Sequence, residues 1–166
     1  MHRISYILAV VCILCFGCGN INKDLIDNIV SVEGDTRSFQ QVVEFCRTPQ
    51  ELSDWMKINL TYREDKSWEE FKSPERTFND GYGDCDDFAL FSKFVLEYHG
   101  ISTNIISIWG DNYGHAIVLC HYGYFSNTTF FPGTYTIRDV CNICNKDWTG
   151  WSVYPEDIFI PRKRGE

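Results

Sequence analysis

The stretch from Asp84 to Tyr98 leaves few sides open to water, and that restricts the folds available to this chain. Phe88, Ala89, Phe91, Phe94, Val95, Leu96 and Tyr98 would cover most of a helix circumference. Asp86, Leu90, Lys93 and Glu97 leave one narrow, mostly polar stripe. A helix so patterned is buried on several faces at once. Gly100 stops it, as glycine does just past a helix end. The period then changes to two, and Ile101–Trp109, His115–Tyr122 and Tyr124–Phe131 read as strands, with a turn over Gly110–Gly114. Alternating strands on short links imply an antiparallel sheet packed against the buried helix, hence an α+β fold.

Upstream, Thr48-Pro49-Gln50-Glu51 has the chemistry of a helix start, with Thr48 as cap, Pro49 in the first turn and Glu51 closing a capping box. Leu52, Trp55, Met56 and Leu60 follow at helical spacing. Ser73-Pro74-Glu75 repeats the signal, and Asn79–Gly83 reads as a turn. The 166 residues suffice for one domain, expected over 38–166, with no second domain after residue 132.

Residues 1–18 have a different character. His2 and Arg3 precede the apolar run Ile4–Phe16, too short to span a bilayer and suited to a signal peptide. The run ends in Cys15-Phe16-Gly17-Cys18-Gly19, which resembles a bacterial lipobox. Cys18 is the expected lipidation site, although Cys15 stands where leucine is usual. A plain signal or an uncleaved anchor is the alternative. Residues 19–37 are polar and read as a tether. The expected location is therefore the cell envelope, exported and lipid-anchored to a membrane on its periplasmic or extracellular face. A net charge of -8 argues against nucleic acid as a partner.

The chemistry is concentrated in Gly81-Tyr82-Gly83-Asp84-Cys85-Asp86-Asp87. A cysteine in the first turn of a helix meets unpaired N–H groups and the positive end of the dipole, both of which favour thiolate. The same N–H groups can bind an oxyanion. His99 would sit about 21 Å away at the far end of the helix. His115 and His121 share a strand face about 20 Å apart, so one nucleophile cannot use both. His115, heading its strand after a glycine turn, is the candidate base. A surface histidine beside a turn is the plain alternative.

Gly-Asp-Cys85-Asp-Asp-Phe-Ala-Leu, the helix stop at Gly100, two strands and Gly114-His115-Ala116-Ile117-Val118 together resemble the transglutaminase-like superfamily, in particular its bacterial cysteine-proteinase branch. The resemblance spans roughly residues 48–131. It implies a papain-like core in which a Cys-bearing helix packs on a sheet carrying His and then Asp or Asn. It also implies a peptidase or amidase, hydrolysing or transferring an acyl group from a peptide, protein or cell-envelope amide. The third residue falls near Tyr124–Thr128, where Asn127 is the candidate and the family's usual Asp is missing. No cofactor is expected. Asp84, Asp86 and Asp87 read as dipole partners and caps, since no spaced oxygen-ligand loop for calcium follows them.

Cys141 and Cys144 form a second constellation, with Cys120 and His121 upstream. In an exported chain a disulfide ranks first, zinc second and a redox dithiol third. Trp109 and Tyr113 flank the approach to His115, either as groove walls or as core. The functional rivals are a catalytically inactive binding module and a zinc-stabilised structural lipoprotein.

Overall fold

The computed structural model describes residues 35–64, 71–154 and 160–161. The signal segment 1–18, Cys18 and nearly all of the tether lie outside the described residues. No helix among the described residues is long and apolar enough to cross a membrane. A compact unit begins at Thr36 and holds the helices and strands described below.

Among the described residues, three short helices precede the central one. Ser38 caps α1 (Phe39–Phe45) with a complete capping box. The Thr48 and Glu51 box starts α2 (Pro49–Asn59), as the sequence implies. Strand β1 (Thr61–Tyr62) follows, then α3 (Pro74–Asp80), capped by Ser73 and ended by Gly81 at φ 70°. That left-handed conformation is one glycine adopts without steric cost. Tyr82–Gly83, expected as turn, instead forms β2, which pairs in parallel with β1.

The central helix α4 (Cys85–Tyr98) is where expected. Phe88, Ala89, Phe91, Val95 and Leu96 are buried with Val42, Leu52, Trp55 and Met56 from α1 and α2. Phe94 and Tyr98 depart from the expectation and are about half exposed. Phe94 stacks on Phe39 of α1 instead of entering the core. The helix is thus wrapped on most sides while one aromatic edge faces outward.

A six-stranded antiparallel sheet lies against α4. Its strands are β3 (Thr103–Gly110), β4 (Tyr113–Cys120), β5 (Gly123–Ser126), β6 (Thr129–Pro132), β7 (Trp148–Tyr154) and β8 (Ile160–Pro161), in the order β6-β5-β4-β3-β7-β8. The run Tyr124–Phe131, read from sequence as one strand, is a hairpin that turns at Asn127 and Thr128. Asn127 adopts φ 52°, a left-handed conformation that asparagine tolerates better than the β-branched Thr128 beside it would. Helix α5 (Ile137–Cys144) and β7 extend the same domain after residue 132. Alternation along β4 divides the core: Ala116 and Val118 join the cluster around α4, while Ile117 joins a second cluster with Val140, Cys141 and Trp148.

Candidate active site

Cys85 opens α4, and the residues before it are shaped to bring it there. A Cβ on Gly83 would stand 2.7 Å from the Asp87 Cβ, so only glycine fits beside the helix start. Asp84 is the N-cap; its side chain accepts from the N–H groups of Asp86 and Asp87, and Asp87 returns the bond to the Asp84 N–H. The second carboxylate oxygen of Asp87 also lies 3.4 Å from the Lys72 ammonium, and its first accepts the Lys72 N–H at 2.8 Å. Both side chains are buried, so this ion pair anchors the helix start to the segment before α3.

Cys85 packs with Ala116, the β4 residue after His115, and the Ala116 N–H acts to lower the pKa of the thiol. The β4–β5 register ends at Ile117↔Ser126, and β5 turns away at Asn127. No β5 residue therefore pairs with Ala116 or His115. On that strand face His115 is in phase with Ile117 rather than with Ala116. Its Nε2 lies 2.9 Å from Ser126 Oγ, the last residue of β5. Ser53 of α2 clamps the hairpin that carries Ser126: its hydroxyl donates to Thr128 O at 2.9 Å and accepts from the Phe130 N–H at 3.0 Å.

Sequence reasoning selects the neighbour of the residue that meets the ring. Asn127 adjoins Ser126, but it is Ser126 that contacts Nε2, and Asn127 Oδ1 is buried with no hydrogen-bond partner. The missed signal lies in strand parity: Ile117 pairs with Ser126, so Ser126 is one diagonal step from His115. The other histidines are elsewhere. His99 Nε2–H donates to Val43 O at the far end of α4, and His121 packs at a tilt against Tyr122 in the β4–β5 turn.

Electrostatics correct a second expectation, that the helix start favours thiolate at Cys85. Instead its pKa is raised, chiefly by burial and further by the charges of Asp84 and Asp86, against the lowering effect of the Ala116 and Cys85 N–H groups. Burial depresses the His115 pKa. Thiol and imidazole are therefore both neutral at rest.

The carboxylates of Asp84, Asp86 and Asp87 converge within 4.8 Å of one another, although sequence spacing offered no ligand loop. Asp86 Oδ1 is buried without a hydrogen-bond partner. Burial, then the Asp84 side chain and the neighbouring charges, push the Asp86 carboxyl up to about 8. Such a set of hard oxygen donors fits calcium.

Cys120, His121, Cys141 and Cys144 do not converge; among the described residues the three aspartates form the one group with metal-ligand spacing. Cys46, Cys85, Cys120, Cys141 and Cys144 are thiols in this structure. Cys141 and Cys144 stand one turn apart on α5, Cys141 buried and Cys144 half-buried. The Trp109 ring packs over Gly114 at 3.7 Å from a Cβ built there and remains 41% exposed, so it is not core.

No family model matches this sequence. No curated protein matches it either. Solved structures do. The calcium-bound form of Legionella pneumophila LapG aligns with a TM-score of 0.54 at 18% identity, covering 81% of this chain and 84% of that one. Its EGTA-treated form aligns with a TM-score of 0.51 at 15% identity, covering 75% of this chain and 74% of the other. The chain thus shares the fold of LapG, an α+β core with a Cys-bearing helix buried against an antiparallel sheet.

Proposed function

We propose that this chain is a cysteine-dependent hydrolase or acyltransferase of the peptidase or amidase type, acting on an amide or ester carbonyl. The observation that carries the reading is Cys85 in the first turn of α4, packed beside Ala116 of β4, whose chain neighbour His115 is held by Ser126 and would turn its ring toward the sulfur to act. When His115 Nε2–H donates to Ser126 Oγ, Nδ1 keeps its lone pair and serves as base. The Cys85 sulfur bonds to the carbonyl carbon, its proton moves to His115, and the carbonyl π electrons pass to oxygen. Collapse breaks the bond to the leaving group, which takes the proton from His115, and a thioester remains. Water or an amine then attacks the thioester through the same base, releasing acid or transferred acyl product and restoring the thiol.

Ser126 acts as the orienting third residue in place of Asn127, which shapes the turn beside it. A hydroxyl fixes the ring without the charge a carboxylate would set against imidazolium. That serine also favours the second reading, a catalytically inactive binding module of the same fold.

The LapG comparison includes a calcium-bound form, and calcium is the ion proposed for Asp84, Asp86 and Asp87 here. Asp84 and Asp86 would supply the outer oxygens, because Asp87 is already tied to Lys72. Bound there, the ion would offset the negative charge that opposes thiolate at Cys85. The protein is proposed to act in the cell envelope after export, anchored by lipid on Cys18, on a peptide, protein or envelope amide. Cys18→Ser would then release it from membranes; unchanged membrane association would leave a plain signal or anchor.

The direct test is digestion of a peptide library prepared from envelope proteins, with wild type and Cys85→Ala in parallel and calcium present. New termini, or adducts with an added amine, should arise with wild type alone. Identical profiles would leave the binding module standing.

A further inference from the structure

Strand β1 has only two residues, both exposed, and adds little to any core. Its pairing nevertheless fixes the position of Tyr62. Thr61 stands opposite Tyr82 and Tyr62 opposite Gly83, held by bonds from Thr61 N–H to Gly81 O at 3.0 Å and from Arg63 N–H to Gly83 O at 2.9 Å. Tyr62 is thereby pinned beside the backbone that reaches Cys85 two residues later. Its ring meets Phe88 of α4 edge-on, with centroids 6.4 Å apart, and stays 48% exposed. The Arg63 guanidinium, on the other side, lies over the Tyr82 ring at 4.5 Å and further fastens the segment. One face of Tyr62 is braced while the rest opens to solvent next to the nucleophile.

The β1–β2 pairing sets Tyr62 against the strand that leads into Asp84, Cys85 and Asp86, and Glu64 follows it on its own segment. Burial and those negative neighbours hold its proton above the ordinary tyrosine range. Near Cys85 it is therefore a neutral O–H donor. The same acidic surroundings oppose a second negative charge at the carbonyl oxygen, so an oxyanion there needs donors beyond the Cys85 N–H.

Building on the thiol-enzyme reading, we propose that Tyr62 is a further catalytic residue, whose phenol O–H donates a hydrogen bond to the substrate carbonyl oxygen as Cys85 attacks. The oxygen gains the π electron pair and the phenol keeps its proton. The bond strengthens as charge develops and weakens again when the carbonyl re-forms in the thioester.

The test is single-turnover acylation by p-nitrophenyl acetate, in which the Cys85 sulfur takes the acetyl group and p-nitrophenolate leaves. Iodoacetamide alkylation of Cys85, which forms no oxyanion, is the control. Tyr62→Phe keeps the ring on Phe88 and removes only the hydroxyl, and a thermal melt matching wild type checks the fold. Tyr62→Phe should slow acylation by about a hundredfold while leaving the alkylation rate unchanged. Equal acylation of Tyr62→Phe and wild type, with Cys85→Ala unlabelled, would overturn the proposal and leave Cys85 chemistry intact. An equal loss in both reactions would make Tyr62 structural and overturn it too. No acylation of wild-type Cys85 would instead remove the enzyme reading, and the role of Tyr62 with it.

Discussion

The Nε2 of His115 lies 2.9 Å from the Oγ of Ser126, one residue before the asparagine that turns β5 into β6. The ring's orientation therefore depends on a hydroxyl whose own position depends on the hairpin and on Ser53 beneath it. Ser126→Ala should slow Cys85 acylation by roughly ten- to a hundredfold by loosening the ring. Ser126→Asp should raise the rate above wild type, because a carboxylate stabilises imidazolium and lifts the depressed His115 pKa. Asn127→Gly should be nearly neutral in a thermal melt, since glycine accepts φ 52°, whereas Asn127→Val should cost about 1–2 kcal/mol. A larger acylation loss in Asn127→Gly than in Ser126→Ala would reverse the assignment.

Neutral thiol and neutral imidazole set the pH dependence. With the Cys85 pKa raised and that of His115 lowered, iodoacetamide labelling of Cys85 without calcium should climb with pH past about 8.5. A fast plateau near about pH 5–6 would mean a resting ion pair instead. Stability carries a matching signature. The unfolded chain binds a proton that buried His115 refuses, so the fold should lose stability as pH falls through about 6.5. His115→Gln should remove that component from a series of urea melts.

At the proposed site, Asp86 would make calcium binding compete with protons. Its carboxyl is pushed up to about 8, so between the ordinary aspartate range and that value the unfolded chain is ionised while the folded site holds a proton. Without metal, stability should therefore fall as pH rises through this window. Calcium must displace the proton, and its stabilising effect should be larger at about pH 8.5 than at about pH 6.5. At a calcium concentration 100 times the dissociation constant the gain is about 2.7 kcal/mol. Asp86→Asn should melt higher than wild type at neutral pH without calcium and lose the calcium response. A calcium shift that survives Asp86→Asn would place the ion elsewhere.

The dithiol on α5 can be tested separately from the active site. Burial and the nearby Cys144 push the Cys141 thiol up to about 11, so in the reduced protein Cys141 should resist alkylation at neutral pH. Protein recovered from an oxidising compartment should carry a Cys141–Cys144 disulfide, seen as a linked species in unreduced peptide maps. Both thiols alkylating in denaturant without reductant would contradict it. Zinc retained by the pair would revive the lower-ranked metal reading.

Legibility in the sequence tracks the strength of local signals. The caps at Thr48 and Ser73, the apolar helix from Cys85 and its stop at Gly100 are each fixed by chemistry within a few residues. Cys85 stands out because it opens its helix, whereas His115, expected to head its strand, is the third residue of β4. Phe94 and Tyr98 mislead because periodicity counts apolar positions without revealing which face another element covers. Tyr124–Phe131 looks continuous because its turn uses Asn127-Thr128 without glycine. Ser126 and Tyr62 owe their placement to strand register, and the aspartate cluster to the folding back of the Asp84 cap. Strand register has no local signature, whereas the aspartates are visible in the sequence and only their convergence is not.

The central claim is that Cys85 forms an acyl-enzyme with His115 as its base, and intact-mass kinetics with p-nitrophenyl acetate tests it most directly. Wild type should gain one acetyl group, mapped to Cys85, and lose it again on the timescale of turnover. His115→Ala should acquire it about 10²- to 10⁴-fold more slowly. Acetylation of wild type and His115→Ala at equal rates, or at a cysteine other than Cys85, would contradict the account.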